Sequence, residues 1–209
     1  MKSPLLMVML LLVSFPARSE VLVLDPASPF TPDGTVVTDP QGDRSLAVER
    51  GRVNGVWYQF AFTDSQGLFQ GEQDNPPVTQ PDAGGSNWVL SCYQDNMTDK
   101  RSCSARKYDL TVTYYDNGAS KVSLGNNNFS GSRIYARIDS GEMMQGLGYG
   151  YFASNDSKAI ISALLAGKVI RTRWQEWPYQ SRVEGRVSGF GFNEVSRYMK
   201  WVLAGQQQK

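Results

Sequence analysis

Residues 110–124 read LTVTYYDNGASKVSL, and this stretch decides the fold. Leu110, Val112 and Tyr114 alternate with Thr111, Thr113 and Tyr115, a period-two pattern of strong β propensity. Asp116-Asn117-Gly118 follows, and Asn and Gly tolerate the positive φ of a primed hairpin turn. Ala119 to Leu124 is then the returning strand of an antiparallel hairpin.

The same pattern recurs on both sides. Upstream, Trp88 to Cys92 (WVLSC) reads as a strand, with Cys103 to Lys107 as its partner. Farther upstream, Gly55 to Phe62 (GVWYQFAF) places Val56, Tyr58, Phe60 and Phe62 on one face. Downstream, Arg133 to Asp139 places Ile134, Ala136 and Ile138 on one face and Arg133, Tyr135, Arg137 and Asp139 on the other. Val169 to Trp177 sets Val169, Arg171, Arg173, Gln175 and Trp177 against Ile170, Thr172, Trp174 and Glu176. Arg182 to Phe190 predicts one more strand. Strands this closely spaced predict a mainly β fold, an antiparallel β-sandwich or barrel-like domain. Two short helices are expected in its C-terminal half. The first covers Ser157 to Ala166, with Asp156 as N-cap and Gly167 at C′. The second opens at Asn193 and carries Val195, Met199 and Val202 at helical spacing.

Three segments are expected. Residues 1–19 have the layout of a secretory signal peptide: Lys2, the uncharged run Leu5–Phe15, then small residues at Ala17 and Ser19. The run is well short of the ~20 residues that span a bilayer. The expected mature chain therefore has no membrane span and is exported, to the periplasm or beyond it. Residues 20–86 read as an acidic arm with a few strands, ending in the Pro/Gly-rich linker GEQDNPPVTQPDAGGS at 71–86. Residues 87–209 form the main β domain. Residues 20–86 hold ten acidic and three basic residues, a net charge of −7. Residues 87–209 hold ten acidic and sixteen basic residues, a net charge of +6. That asymmetry points to an anionic partner for the basic part, or to an acidic arm that covers it.

The chain has no histidine and two cysteines. Ser-His-Asp and Cys-His nucleophile systems are excluded, as is histidine-ligated zinc. Cys92 and Cys103 enclose ten residues, and in an oxidising compartment such a pair is expected to be bonded. Redox pairs usually sit two residues apart at a helix start, so a structural staple is the expectation.

Trp88-Val89-Leu90-Ser91-Cys92, then Asp95-Asn96-Met97-Thr98-Asp99, then Cys103 resembles the invasion-associated locus B family of exported proteobacterial proteins. In that family a tryptophan precedes the first cysteine, the second follows about ten residues on, and the strands lead to a late Gly-Phe helix segment. Gly191-Phe192 matches that segment. The Met-Thr-Asp tripeptide is also similar to a stretch in an accessory family of type VI secretion systems. The resemblance covers residues 88–203 and implies an exported β-rich fold. Neither family supplies catalytic residues to carry over.

Candidate chemistry is sparse. Arg171-Thr172-Arg173-Trp174-Gln175-Glu176-Trp177-Pro178-Tyr179 interleaves basic and aromatic residues, so Arg171, Arg173, Trp174, Trp177 and Tyr179 are the candidate binding residues. Guanidinium forks hold anions and aromatic rings stack on sugars. Asp95, Asp99, Asp139, Glu142, Glu176 and Glu184 are the carboxylates available to a glycosidase, though most fall in turns or on outward faces. The Asp95–Asp99 loop lacks the glycine and distal Glu of a calcium loop, and Gly146–Tyr151 lacks the Lys and Ser/Thr of a phosphate loop. No metal or cofactor is expected. The expectation is a non-enzymatic exported envelope protein that binds a partner protein or an anionic cell-wall component, with no role for nucleic acid. The alternatives are a glycan-binding or glycoside-hydrolysing protein, or an immunity or inhibitor protein.

Overall fold

The computed structural model describes residues 36–38, 45–53, 55–63, 65–73, 87–125, 127–178 and 181–205. The expected signal peptide, most of the Pro/Gly-rich linker and Tyr179 lie outside the described residues.

The strands are β1 (Val36–Thr38), β2 (Ser45–Val53), β3 (Val56–Phe62), β4 (Gln66–Gln73), β5 (Trp88–Gln94), β6 (Arg101–Lys107), β7 (Leu110–Tyr115), β8 (Ser120–Leu124), β9 (Tyr135–Ile138), β10 (Met143–Gln145), β11 (Val169–Glu176) and β12 (Ser181–Ser188). The helices are α1 (Ser154–Leu165) and α2 (Phe192–Gly205). Among the described residues, β1 to β8 form one antiparallel meander in chain order, and β10-β9-β11-β12 form a second antiparallel sheet. The fold is mainly β with two helices in its C-terminal half, as the periodicity predicts. Both sheets are open, so the sandwich-like alternative holds and no barrel closes.

The hairpin at 110–124 forms, but not on the primed turn expected: Gly118 has positive φ and Asn117 does not. Leu110 pairs with Leu124 and Val112 with Val122, and Gly118 turns the chain at φ +80°. Leu110, Val112, Val122 and Leu124 are fully buried, while Thr113 on the other face hydrogen-bonds the Ser104 hydroxyl at 2.9 Å. One buried and one solvated face is the usual state of an antiparallel sheet.

The strands between 45 and 73 belong to this same sheet. β4 pairs with β5 through Phe69 and Trp88, so residue 87 separates no two cores. Phe60, Phe62 and Phe69 share one buried cluster with Trp88, Leu90 and the face of α2. The Tyr198 hydroxyl of α2 lies 2.9 Å from the Thr63 carbonyl and 2.8 Å from the Gln66 carbonyl, where β3 turns into β4. Three of the sixteen residues expected as linker, Gly71 to Gln73, extend β4. Sequence periodicity fails at β4 because two glycines leave Leu68 and Phe69 as its large apolar residues.

Both helix starts differ from the expectation. α1 begins at Ser154, with Ala153 at the N-cap and no side-chain cap; Asp156 lies in its first turn, where its charge favours the helix dipole. α2 begins at Phe192, and Asn193 does not cap it. The Asn193 amide instead donates to the Leu165 carbonyl at 3.0 Å and so satisfies an orphan acceptor at the end of α1. Gly191 precedes α2 at φ +78°, and a Cβ there would meet the Phe69 ring at 2.0 Å. Positive φ and ring contact together require glycine at this position.

The helices position the second sheet. α1 packs against β8 of the large sheet and β11 of the small one, and α2 packs on β5 to β7. Ile134, Ala136, Ile170, Trp174 and Val187 of the small sheet's segment join the common core. The opposite faces of β9, β11 and β12 are left to solvent.

Candidate functional site

Alternation on β11 places Ile170, Thr172 and Trp174 inward and Arg171 and Arg173 outward. Register then aligns the outward residues across four strands. Met143 of β10 pairs with Arg137 of β9, Arg137 with Arg171 of β11, and Arg171 with Arg186 of β12. Three arginines thus stand side by side on three adjacent strands, which lie roughly 4.8 Å apart. The next rung on this face is Gln145, Tyr135, Arg173 and Glu184. All of these rung residues except Gln145 line an open groove of about 680 Å3.

The groove's charges are unevenly compensated. Arg173 Nε donates to Glu184 Oε1 at 2.8 Å, an exposed ion pair. Arg137 Nη2 donates to the Ser140 carbonyl at 2.9 Å, a contact that carries no negative charge. The guanidinium groups of Arg171 and Arg186 have no hydrogen-bond or ion-pair partner among the described residues. Directly opposed like charges destabilise a sheet. Here the sequence stacks two such pairs in one rung. Local conflicts of this kind are concentrated at functional sites.

Arg171 and Arg173 share this groove as the alternation predicts. Trp174 does not join them: it is 7% exposed, packed in the core on the opposite face of β11. Alternation itself separates the neighbours, since adjacent strand residues point to opposite faces. Trp177 is half exposed beyond the end of β11, with its ring 5.4 Å from Phe129. Tyr179 is outside the described residues. The interleaved aromatic platform read from the sequence therefore loses Trp174. Arg137, Arg186 and Glu184 take the place beside Arg171 that the sequence reading gave to Trp174. The outward position of Arg137 was legible, but its pairing with Arg171 depends on β9 lying beside β11, which no local pattern encodes.

Four of the six carboxylates named from sequence, Asp95, Asp99, Asp139 and Glu184, are each held by separate local partners. Asp95 Oδ1 accepts from the Met97 and Thr98 amides at 2.8 and 3.0 Å, which holds its carboxyl below the usual range. Gln94 Nε2 donates to Asp99 at 3.4 Å, and Asp139 lies 3.7 Å from the Lys168 ammonium and accepts from the Val169 amide. Among the described residues no group of three His, Cys, Asp or Glu side chains is placed to hold a metal.

Two acidic positions not singled out in the sequence lie deeper. Asp109, in the turn between β6 and β7, accepts a hydrogen bond from Thr172 Oγ1 at 2.9 Å and so ties the two sheets together. The Trp174 indole N–H faces the same carboxylate outside strict hydrogen-bond geometry. Burial raises the Asp109 pKa. On α2, burial and then the nearby Glu49 charge raise the Glu194 pKa against the pull of Arg197. Glu49 itself accepts from the Tyr58 hydroxyl at 2.8 Å and lies 3.6 Å from Arg197. Glu194 sits where α2 packs on the large sheet, and Asp109 lies between the two sheets, behind the arginine rung.

The cysteines are bonded. Cys92 and Cys103 face each other in the β5–β6 register, closing the hairpin whose loop carries Asp95 to Asp99.

No family model, curated protein or solved structure matches this chain, so the functional assignment rests on this geometry.

Proposed function

We propose that the protein is a non-enzymatic binding protein that receives an anionic partner on the outer face of β9, β11 and β12. The observation that carries this reading is the rung Arg137–Arg171–Arg186, where three like charges stand in register and two of them, Arg171 and Arg186, make no ion pair among the described residues. A fold that only needed a solvated strand face would alternate charge signs there, because opposed opposite charges stabilise a sheet and opposed like charges do not. Guanidinium groups on separate strands present forked donors at fixed spacing, the geometry that recognises carboxylate and phosphate oxygens. We further propose that it acts in the cell envelope, a reading supported by the signal-like layout of residues 1–19 and the resemblance to the invasion-associated locus B family.

Retention on heparin-agarose tests it, with heparin as a generic polyanion. Wild type should elute at clearly higher salt than Arg171→Ala with Arg173→Ala, because each guanidinium that engages the polyanion adds to the salt dependence. Equal elution of the two proteins, at matched circular dichroism, overturns the proposal.

A further inference from the structure

We infer that the anion recognised on this face carries a phosphoryl group, a claim that rests on the binding reading above. A carboxylate carries one charge, so it neutralises only one guanidinium, although its lone pairs can accept from two. The groove's own carboxylate shows this one-to-one pairing: Glu184 accepts a single bond from Arg173 Nε one rung away and makes no ion pair with Arg171 or Arg186. A phosphomonoester offers three strong acceptor oxygens and close to two negative charges, enough for two or three forks at once. Arg137, Arg171 and Arg186 lie on neighbouring strands, so their long side chains can converge on one such group. Converging on one carboxylate would leave at least one guanidinium uncompensated.

The rest of the groove fits an organic phosphate. Its volume of about 680 Å3 exceeds what one phosphate needs and falls within the range of small-ligand sites. Met143 is exposed at the β10 end of the arginine rung, and Tyr135 flanks it on β9. Apolar surface at one end and guanidinium groups at the other suit a phosphoryl group attached to a carbon skeleton. A phospholipid headgroup and a soluble phosphate ester share this chemistry.

Titration calorimetry with inorganic pyrophosphate, and sedimentation with phosphatidylcholine vesicles containing phosphatidic acid, separate the two sources. Poly-L-glutamate is the carboxylate comparison. Pyrophosphate or phosphatidic acid vesicles should bind, and Arg171→Lys should weaken that binding at least about tenfold, because lysine keeps the charge but loses the fork. Binding to pyrophosphate shows that a soluble phosphate is a sufficient ligand; binding to vesicles alone identifies a headgroup. Poly-L-glutamate bound as tightly as the phosphates, with the same loss in Arg171→Ala with Arg186→Ala, overturns the phosphoryl assignment and leaves the anion-binding reading standing. Failure of all three probes, together with equal elution from heparin, overturns both.

Discussion

Arg171 and Arg186 stand directly opposite each other in the antiparallel pair β11–β12, and Arg137 stands opposite Arg171 on its other side. The consequence is energetic before it is functional. Each opposed like-charge pair works against the sheet, so the small sheet is less stable than its hydrogen bonding and packing would make it.

Reversing one charge should show this. Arg186→Glu places a carboxylate opposite Arg171 and should raise stability by roughly 0.2–1 kcal/mol, read as a higher denaturant midpoint at unchanged slope. The same variant should lose retention on heparin. A lower midpoint would mean that Arg186 makes a favourable contact that its position does not suggest.

The disulfide closes a short hairpin loop of the large sheet. Cys92→Ser should cost roughly 2–3 kcal/mol under oxidising conditions, the chain-entropy value for a loop of this length. Thermal unfolding of the oxidised proteins measures it. An unchanged melting temperature would show that the β5–β6 hairpin holds its geometry without the staple.

The N-terminal strands depend on the last helix through Tyr198. Tyr198→Phe keeps the ring against Phe60 and Phe62 but removes the hydroxyl that reaches the Thr63 and Gln66 carbonyls. The Gln66 carbonyl keeps the Thr63 amide as donor, so the loss falls on the Thr63 carbonyl, and leaving that acceptor unsatisfied should cost about 1–3 kcal/mol. Amide hydrogen exchange should show reduced protection in both β3 and β4. Reduced protection confined to α2 would contradict the single shared core.

Asp109 gives the fold a pH dependence of definite sign. Its folded pKa is raised above the ordinary 3.8 by burial, so between the two values the folded state binds more protons than the unfolded state. Its contribution to stability is fully present below the unfolded value and is lost as pH rises through the folded one. Asp109→Asn keeps an acceptor for Thr172 and removes the titration. The variant should be more stable than wild type at neutral pH, and the gain should vanish on acidification. A difference in melting temperature that is constant from pH 3 to pH 8 would contradict this.

The hairpin at 110–124 was legible because alternation, β propensity and a turn glycine agreed, although only Gly118 and not Asn117 takes the positive φ of a primed turn. β4 was not, because two glycines and polar residues at its ends mimic a loop until Phe69 meets Trp88 and Gly191. Asn193 shows the same limit at one residue. Its type suggests an N-cap, yet its amide is used by the carbonyl of Leu165, twenty-eight positions away. At the candidate site, the strand pattern correctly turned Arg171 and Arg173 outward together. The aromatic part of that reading failed at Trp174, which alternation sends to the core. The arginine rung itself needed the order β9-β11-β12, a tertiary fact set by α1 bridging β8 and β11.

The most direct test of the account is one variant measured twice. Arg171→Thr removes the central charge of the rung and supplies a residue of high β propensity. Denaturant unfolding should show the variant at least as stable as wild type, while its affinity for fluorescent heparin at fixed ionic strength falls severalfold. A variant that is clearly less stable, or that binds heparin as tightly as wild type, would contradict the claim that this face sacrifices stability to hold an anion.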